Sequence, residues 1–243
     1  RADWDRRARE DARYYVAFGR REQEEAEFQA TAADVVRGFD RELRRLGRPV
    51  EVARLRALEI GCGPGRLMLP MSRRFAELHG VDVSEEMIRL ASQRLREAPN
   101  AHPAVNSGAD LGAYGGGSFD FVYSYAVFQH IPSREVVFNY LREARRVLKT
   151  GGLLRCQING LPSSGGEYDT WHGVRISPEE VRAFARAEDM QLLVLEGALT
   201  QYMWVTLRKR PAGWHARLAE TTPSTPATVR RITNAFSTEP LAP

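Results

Sequence analysis

Cysteine is scarce in this chain: Cys62 and Cys156 are its only two, and neither sits in a CxxC pair or beside other metal-ligating residues. That count excludes a disulfide framework and gives no reason to expect a metal; two small buried thiols in a reducing compartment fit it best. No apolar run approaches the roughly 18 residues of a membrane-spanning helix. The N-terminus is charged and lacks the apolar core of a signal peptide, so the expected location is cytoplasmic. The chain opens on Arg1 without a methionine, which reads as a trimmed or partial N-terminus. A large excess of one charge is missing too: 35 basic residues against 31 acidic ones give a net charge of +4, which permits a nucleic-acid partner without suggesting one.

What is present is the composition of an ordinary globular protein, 43% hydrophobic and 27% charged over 243 residues, enough for one substantial core with attached segments. Residues 1–48 carry apolar side chains at spacings of three and four among mixed charges: Trp4, Ala8, Tyr15 and Phe18, then Phe28, Ala32, Val35, Val36, Phe39 and Leu43. This predicts two or three amphipathic helices, broken near Gly19. From residue 53, strand-like stretches at 55–60, 76–82, 102–106, 119–125 and 152–158 alternate with helical ones at 65–74, 84–97 and 133–148. This repeating order of strand and helix implies a parallel sheet covered by helices on both faces, and right-handed crossovers make it doubly wound.

Beyond the fifth strand lies a Gly/Ser-rich stretch and then SPEEVRAFARAED, where Ser177 suits an N-cap and Pro178 the first helical turn. QLLVLEGA and QYMWVTLRK follow as a close antiparallel strand pair at one edge of the sheet. The expected fold class is therefore α/β: a doubly wound, mostly parallel seven-stranded sheet with an antiparallel edge strand, preceded by N-terminal helices. The domains are expected at 1–48 (helical lid), 49–210 (Rossmann-like domain) and 211–243, a flexible tail or a linker to a further domain opening on VRRITNA.

The densest signal is ALEIGCGPGRLMLP, residues 57–70, with Gly61, Gly63 and Gly65 at a strand-to-helix turn. Glycines there let the backbone approach a ligand closely. In a dinucleotide site of the G-x-G-x-x-G kind the third glycine permits tight helix packing, but Arg66 occupies that position, which counts against a nicotinamide or flavin cofactor. Asp82 closes the second strand about twenty residues on, where a carboxylate takes the ribose hydroxyls of any nucleoside cofactor.

Taken with its downstream neighbours, the pattern resembles class I S-adenosylmethionine-dependent methyltransferases. The carriers are Glu59 followed by glycines 61, 63 and 65, the segment VDVSEEMIRLA, SGADL after the third strand, GSFDFVYSYAVFQHIP around the fourth, and RVLKTGGLLRC leading into the fifth. They cover about residues 57–158, and Gly151 and Gly152 are expected to close a helix and open the last of these strands.

The resemblance implies S-adenosylmethionine as cofactor and S-adenosylhomocysteine as product. Backbone amides at Gly61, Cys62, Gly63 and Gly65 would approach its methionine part, with Glu59 complementing the ammonium. Asp82 would take the ribose diol, Val83 and Met87 would pack on adenine, and Ala109, Asp110 and Leu111 would hold the adenine amino group. Asp120 is read as structural, bracing the glycine loop. The loop after the fourth strand would place Tyr125, Gln129 and His130 beside the cofactor, His130 being a candidate general base. Tyr168, Trp171 and His172 are candidates for the acceptor's walls. The N-terminal DWDRRAREDARYYVAF is similar to the lid of some members acting on small molecules, with Tyr14 and Tyr15 closing over the methionine end or the substrate.

No Asn-Pro-Pro-Tyr type motif follows the fourth strand, and no Pro-Cys pair occurs, which argues against amino methylation of nucleic acids and against cytosine C5 methylation. The best expectation is methyl transfer to a small molecule. A protein or RNA acceptor, or a module that binds the cofactor without turnover, remain as alternatives.

Overall fold

The computed structural model describes residues 1–17, 20–163, 165 and 168–221. The expected break near Gly19 and the segment 222–243, including VRRITNA, lie outside the described residues. Helices α1 (Ala2–Ala17), α2 (Glu25–Ala30), α3 (Ala33–Leu43) and the short α4 (Pro49–Val52) lead into an alternating core. That core runs β1 (Arg56–Ile60), α5 (Met68–Ser72), β2 (Glu77–Asp82), α6 (Glu85–Arg94), β3 (Ala101–Val105), β4 (Phe119–Ser124), a single 3-10 turn at Phe128–His130, α7 (Arg134–Val147) and β5 (Leu148–Ile158). It ends with α8 (Pro178–Ala187), β6 (Met190–Glu196), β7 (Met203–Lys209) and α9 (Trp214–Thr221).

The seven strands form one sheet in the order β3-β2-β1-β4-β5-β7-β6. Strands β1 to β5 pair in parallel, while β7 runs antiparallel to both β5 and β6. The antiparallel pair is where it was expected, with β7 one position in from the edge and β6 outermost. Strand direction of growth reverses between β1 and β4, so a crevice opens at their carboxyl ends, where open α/β sheets bind ligands.

Alternation along the central strands feeds two cores. Leu58, Ile60 and Val122 join the layer under α7 and α8, built on Val137, Tyr140, Leu141, Ala144 and Val147 at helical spacing. Ala57, Phe121 and Tyr123 point the other way, into the layer with Val36, Phe39, Leu43, Met68 and Met71. Phe39 is the anchor there, its ring centroid 4.8 Å from Tyr123, 6.1 Å from Phe121 and 6.0 Å from Trp204. Residues 1–48 therefore divide: α3 is a core helix of the sheet, and α1 is the part that lies near the strand ends.

Several local expectations are refined. Ser177 caps α8 with the reciprocal Glu180 bond of a capping box. The helix expected over 65–74 starts only at Met68, because Gly61, Gly63 and Gly65 all take positive φ (72°, 50° and 79°) and coil the chain before it can turn helical. Gly151 and Gly152 do not separate helix from strand: β5 begins at Leu148, and the glycines lie in an irregularity where Phe119 pairs with Leu148 but Phe121 with Leu153.

Asp120 does not brace the glycine loop. It sits at the opposite end of the sheet, accepting from the Arg56 backbone N–H at 3.0 Å and from Lys149 Nζ at 2.9 Å. Nor is residue 211 the start of a tail. Asp189 accepts from the backbone N–H of Gly213 (2.6 Å) and His215 (3.0 Å) and starts α9, since its carboxylate meets the unpaired amides of that first turn.

Candidate active site

One cavity of about 870 Å³ lies over the carboxyl ends of β1, β2 and β4. Its floor is the glycine turn. Gly61 and Cys62 both donate their N–H to the Val81 carbonyl, at 2.7 and 3.0 Å, which pins the turn to β2. A Cβ on Gly61 would run into the Val127 side chain, and φ of 72° forbids one comfortably in any case. Gly65 faces inward instead of lining the cavity: its missing Cβ leaves room for Ala91 of α6 and for Leu95 just after it, 3.4 Å away.

Asp82 stands at the end of β2. Its two carboxylate oxygens accept from Gly63 N–H and Ser84 N–H, both at 2.9 Å, and the group lines the cavity. Burial pushes its pKa up, opposed by those backbone donors. Glu59, on β1, is 2% exposed and takes the Tyr123 hydroxyl at 2.9 Å. Burial raises its pKa to about 8, the Tyr123 hydrogen bond and the nearby Arg66 charge working against the shift.

The folded chain therefore keeps a proton on Glu59 where the unfolded chain has lost it. Stability from this group is fully present below about pH 4.5 and is lost as pH rises through about 8. Glu59→Gln cannot ionise, so it is expected to gain on the parent protein progressively across that window in urea unfolding. A stability difference that stays flat with pH would contradict a neutral, buried Glu59.

The far wall is made by the turn after β4 and the chain before α8. His130 is 8% exposed; its Nδ1 lies 3.2 Å from the Trp171 carbonyl and its Nε2 3.3 Å from Gln129 Nε2. The Trp171 carbonyl can only accept, so Nδ1 carries the proton and Nε2 is the lone-pair nitrogen facing the Gln129 amide. Burial lowers the His130 pKa to about 4 and leaves the ring neutral near pH 7. Gln129 Oε1 is buried without a hydrogen-bond partner, on a residue that lines the cavity.

Helix α1 crosses the cavity, and its first turn fastens to both sides of it. Asp5 accepts from the Ser84 hydroxyl at 2.7 Å beside the Asp82 turn. On the other side the Thr170 hydroxyl donates to Asp3 at 2.8 Å, and the Arg7 guanidinium lies 4.8 Å from the Trp4 ring and 4.9 Å from Trp171. Trp4 meets the edge of His130 at 5.3 Å, so α1 and the 168–173 loop enclose the imidazole together. Exclusion of water from the reaction is what such a cover supplies.

Of the residues predicted from sequence, the cavity brings together Tyr15, Glu59, Gly61, Cys62, Gly63, Asp82, Val83, Tyr125, Gln129, His130, Tyr168, Trp171 and His172. Met87 is not among them. It is 1% exposed and packs with Ala8 and Ala12 beneath α1, because α1 covers the face of α6 on which it sits. Asp110 turns back into its own loop, accepting from Ser107 Oγ at 3.1 Å and Gly112 N–H at 2.8 Å. Leu111 is buried in the core and the Ala109 carbonyl takes the Asn139 side chain, so Asn106 and Gly108 line the cavity in their place. Tyr14 is likewise outside the lining, its ring edge-on to Tyr15 at 5.2 Å and under Arg21. Cys62 is buried and its thiol pKa is pushed well up, which makes it a packing residue of the turn.

Sequence reasoning missed Arg66, Thr31, Asn159, Arg175 and Tyr202, which also line the cavity. Only Arg66 carried a signal, as the residue replacing a third glycine.

A family model for a methyltransferase domain matches residues 58–156. A ubiquinone biosynthesis O-methyltransferase from Xanthomonas oryzae pv. oryzae is 30% identical over 166 residues, 62% of this chain and 68% of its own length. One of the same name from Cereibacter sphaeroides is 35% identical over 127 residues, 52% of this chain and 49% of its own, so the chain spans about half the length of that curated relative. Among solved structures, magnesium protoporphyrin IX methyltransferase from Synechocystis PCC 6803, with S-adenosylhomocysteine bound, shares the fold at TM-score 0.59 and 16% identity over 81% of this chain and 93% of that one. Phosphoethanolamine N-methyltransferase 1 from Haemonchus contortus does so at TM-score 0.62 and 16% identity, covering 87% of this chain and 48% of that one. The chain belongs to the class I S-adenosylmethionine-dependent methyltransferase family. The family's cofactor is S-adenosylmethionine, and the residues present fit it: a buried carboxyl group, Glu59, and the half-buried Asp82 carboxylate face a cavity floored by open glycine backbone, as a ligand with an ammonium and a ribose diol requires.

Proposed function

We propose that this protein methylates a hydroxyl of a small-molecule acceptor in the cytoplasm. The observation that carries this reading is the continuity of the cavity, with Glu59, Gly63 and Asp82 at one end and His130, Tyr168, Trp171 and His172 at the other. Its volume suits a cofactor and a compact acceptor side by side, under the roof of α1. The O-methyltransferase names of the curated relatives support oxygen as the receiving atom.

S-adenosylmethionine supplies, when bound, an electrophilic methyl group on a sulfonium that leaves as a neutral thioether. Tyr168 and Trp171 wall the acceptor and restrict its approach, which converts an encounter into an aligned displacement. His130 Nε2 receives the hydroxyl proton. An imidazole with a pKa near 4 is too weak a base to ionise an alcohol beforehand, but an oxygen gaining a methyl becomes far more acidic than the alcohol. Proton transfer to His130 is thus late, and the Gln129 amide that faces the same nitrogen gives up that lone pair for it, while the Trp171 carbonyl on Nδ1 keeps the ring in place.

Calorimetric titration with S-adenosylhomocysteine, with NAD as control, is the first test; binding of the former alone is expected, and binding of neither removes the proposal. A screen of hydroxylated small molecules for methyl transfer from labelled cofactor then tests the acceptor class. His130→Ala is expected to lower kcat at least about tenfold with cofactor affinity changed less than about twofold, in the range usual for losing a positioned base. Equal losses in both would make His130 part of the cofactor's wall. Salt-sensitive retention of RNA by the protein would instead favour a macromolecular acceptor.

A further inference from the structure

Arg175 lines the half of the cavity that holds His130, and backbone bonds fix its place there. Val174 N–H donates to the Ile131 carbonyl and Ile176 N–H to the Asn159 carbonyl, both at 2.9 Å. The residues on either side of Arg175 are thus tied to the turn after β4 and to the chain leaving β5. Arg134 Nη1 donates to the Arg175 carbonyl at 3.0 Å, which holds the root of the side chain from a third direction. The side chain itself is half-buried, and its Nη1 donates to the Pro162 carbonyl at 2.5 Å.

A carbonyl is a neutral partner, and it leaves most of the guanidinium's donors unused. With Nη1 on Pro162, the Nε and Nη2 groups remain as the parallel pair that accepts a carboxylate side-on. Among the described residues no carboxylate stands within ion-pair distance of Arg175; Glu180 of α8 pairs with Arg134 instead. The carboxyl groups among the described lining residues, Glu59 and Asp82, both belong to the glycine-turn end. The acceptor half therefore combines a rooted cation, a neutral imidazole and the rings of Tyr168 and Trp171, with no acid facing them. Such a wall favours an anionic ligand and discriminates against a cationic one.

We propose that the methyl acceptor carries a carboxylate, which Arg175 binds while the acceptor's hydroxyl meets His130. The proposal rests on the reading of this cavity as that of a small-molecule O-methyltransferase. Carboxylate is the anion that fits: one guanidinium balances one negative charge, whereas a phosphate monoester brings about −1.5 to −2. Arg66, the other arginine among the described lining residues, stands by the glycine turn. Arg175 is here a positioning residue that sets specificity and stays off the reacting atoms. Because residues 173 and 174 bond to residues 129 and 131, backbone sets the span between Arg175 and His130, and acceptors are selected by the separation of their hydroxyl and carboxylate.

The test uses ring-bearing probes in matched pairs: hydroxybenzoates, hydroxyphenylacetates and hydroxycinnamates against their carboxamides. Binding is measured by calorimetry on protein saturated with S-adenosylhomocysteine, and methyl transfer with labelled S-adenosylmethionine. The parent protein is expected to bind at least one acid about tenfold or more tightly than its amide, and Arg175→Gln to bring that pair within about threefold, as for loss of a charge-assisted pair. On an acid that is turned over, Arg175→Gln should raise KM about tenfold with kcat changed less than about threefold, a split that a mere loop brace would not give. Binding of acids and amides alike by the parent protein, binding of no acid, or an Arg175→Gln that weakens both members of a pair equally overturns the proposal. Phenyl phosphate bound more tightly than every acid overturns the choice of carboxylate. Methylation of neutral phenols in place of acids overturns the proposal and leaves the methyltransferase reading standing; failure of the parent protein to bind S-adenosylhomocysteine sinks both. Arg175→Lys keeps the charge without the parallel pair, and it carries the test if Arg175→Gln does not fold: its preference for the acid is expected to shrink several-fold, and an unchanged preference counts against the proposal.

Discussion

Asp82→Ala is expected to weaken S-adenosylhomocysteine binding by more than about tenfold, because a charged hydrogen bond to a diol contributes about 1.5 to 3 kcal/mol. The structure adds a second cost. The same carboxylate holds Gly63 N–H and Ser84 N–H, so the substitution also removes one of the ties between the glycine turn and the end of β2, leaving those to the Val81 carbonyl. Asp82→Asn should fall between the two, since its single carbonyl oxygen can serve only one of the two amides and its NH₂ opposes the other. Calorimetry on the three proteins reads the order directly. An alanine variant that binds as tightly as the parent would remove Asp82 from the ribose site.

That prediction was open from the sequence because its determinants are local. The strand, the glycine turn and the carboxylate that closes the next strand are fixed by short-range pattern, and so is their register: Gly61 and Asp82 meet because β1 and β2 pair as neighbours, Ile60 against Val81. Residues whose role depends on packing between distant segments were not open in this way. Met87 has the right position in VDVSEEMIRLA, yet α1 lies over its side of α6 and buries it. Asp110 sits in the expected segment, yet Ser107 and Gly112 within its own loop satisfy it first.

Arg66 shows the converse. In the sequence it is merely the residue that is not a third glycine, and its place in the cavity wall depends on Thr31, Phe28 and Tyr125 arriving from two other parts of the chain. The kink of α1 at Asp11, whose φ of −167° and ψ of 87° interrupt the helix, is likewise tertiary. Its carboxylate accepts from the backbone N–H of both Tyr14 and Glu22 at 3.0 Å, and no helical period signals that. The fold was legible because alternation and turn chemistry repeat along the chain; a helical cover was expected too, but the contacts that fasten it, such as Asp3 to Thr170 and Asp5 to Ser84, were not, because single side chains from distant segments make them.

Gly173 is where that cover joins the catalytic wall, and Gly173→Ala is expected to have a large structural effect. The Gly173 N–H donates to the Gln129 carbonyl at 2.8 Å, and Val174 N–H to the Ile131 carbonyl at 2.9 Å, so two backbone bonds clamp the 168–173 loop across His130. A Cβ there would lie 2.6 Å from the Gln129 carbonyl oxygen and 2.7 Å from both N and O of Ile131. These are backbone atoms, so no rotamer change relieves the clash and the two segments must separate. Overpacking of this kind costs about 1 to 3 kcal/mol, and the loss of the two bonds adds to it. Because the Trp171 carbonyl that selects the His130 tautomer is on the displaced loop, turnover should fall together with stability in urea unfolding. Gly38→Ala, on α3 with its nearest neighbour 3.9 Å away, is the matching control and should be neutral or stabilising by about 0.5 to 1 kcal/mol. If Gly173→Ala matched Gly38→Ala in both stability and turnover, the joint between the loop and His130 would not be what holds the imidazole in place.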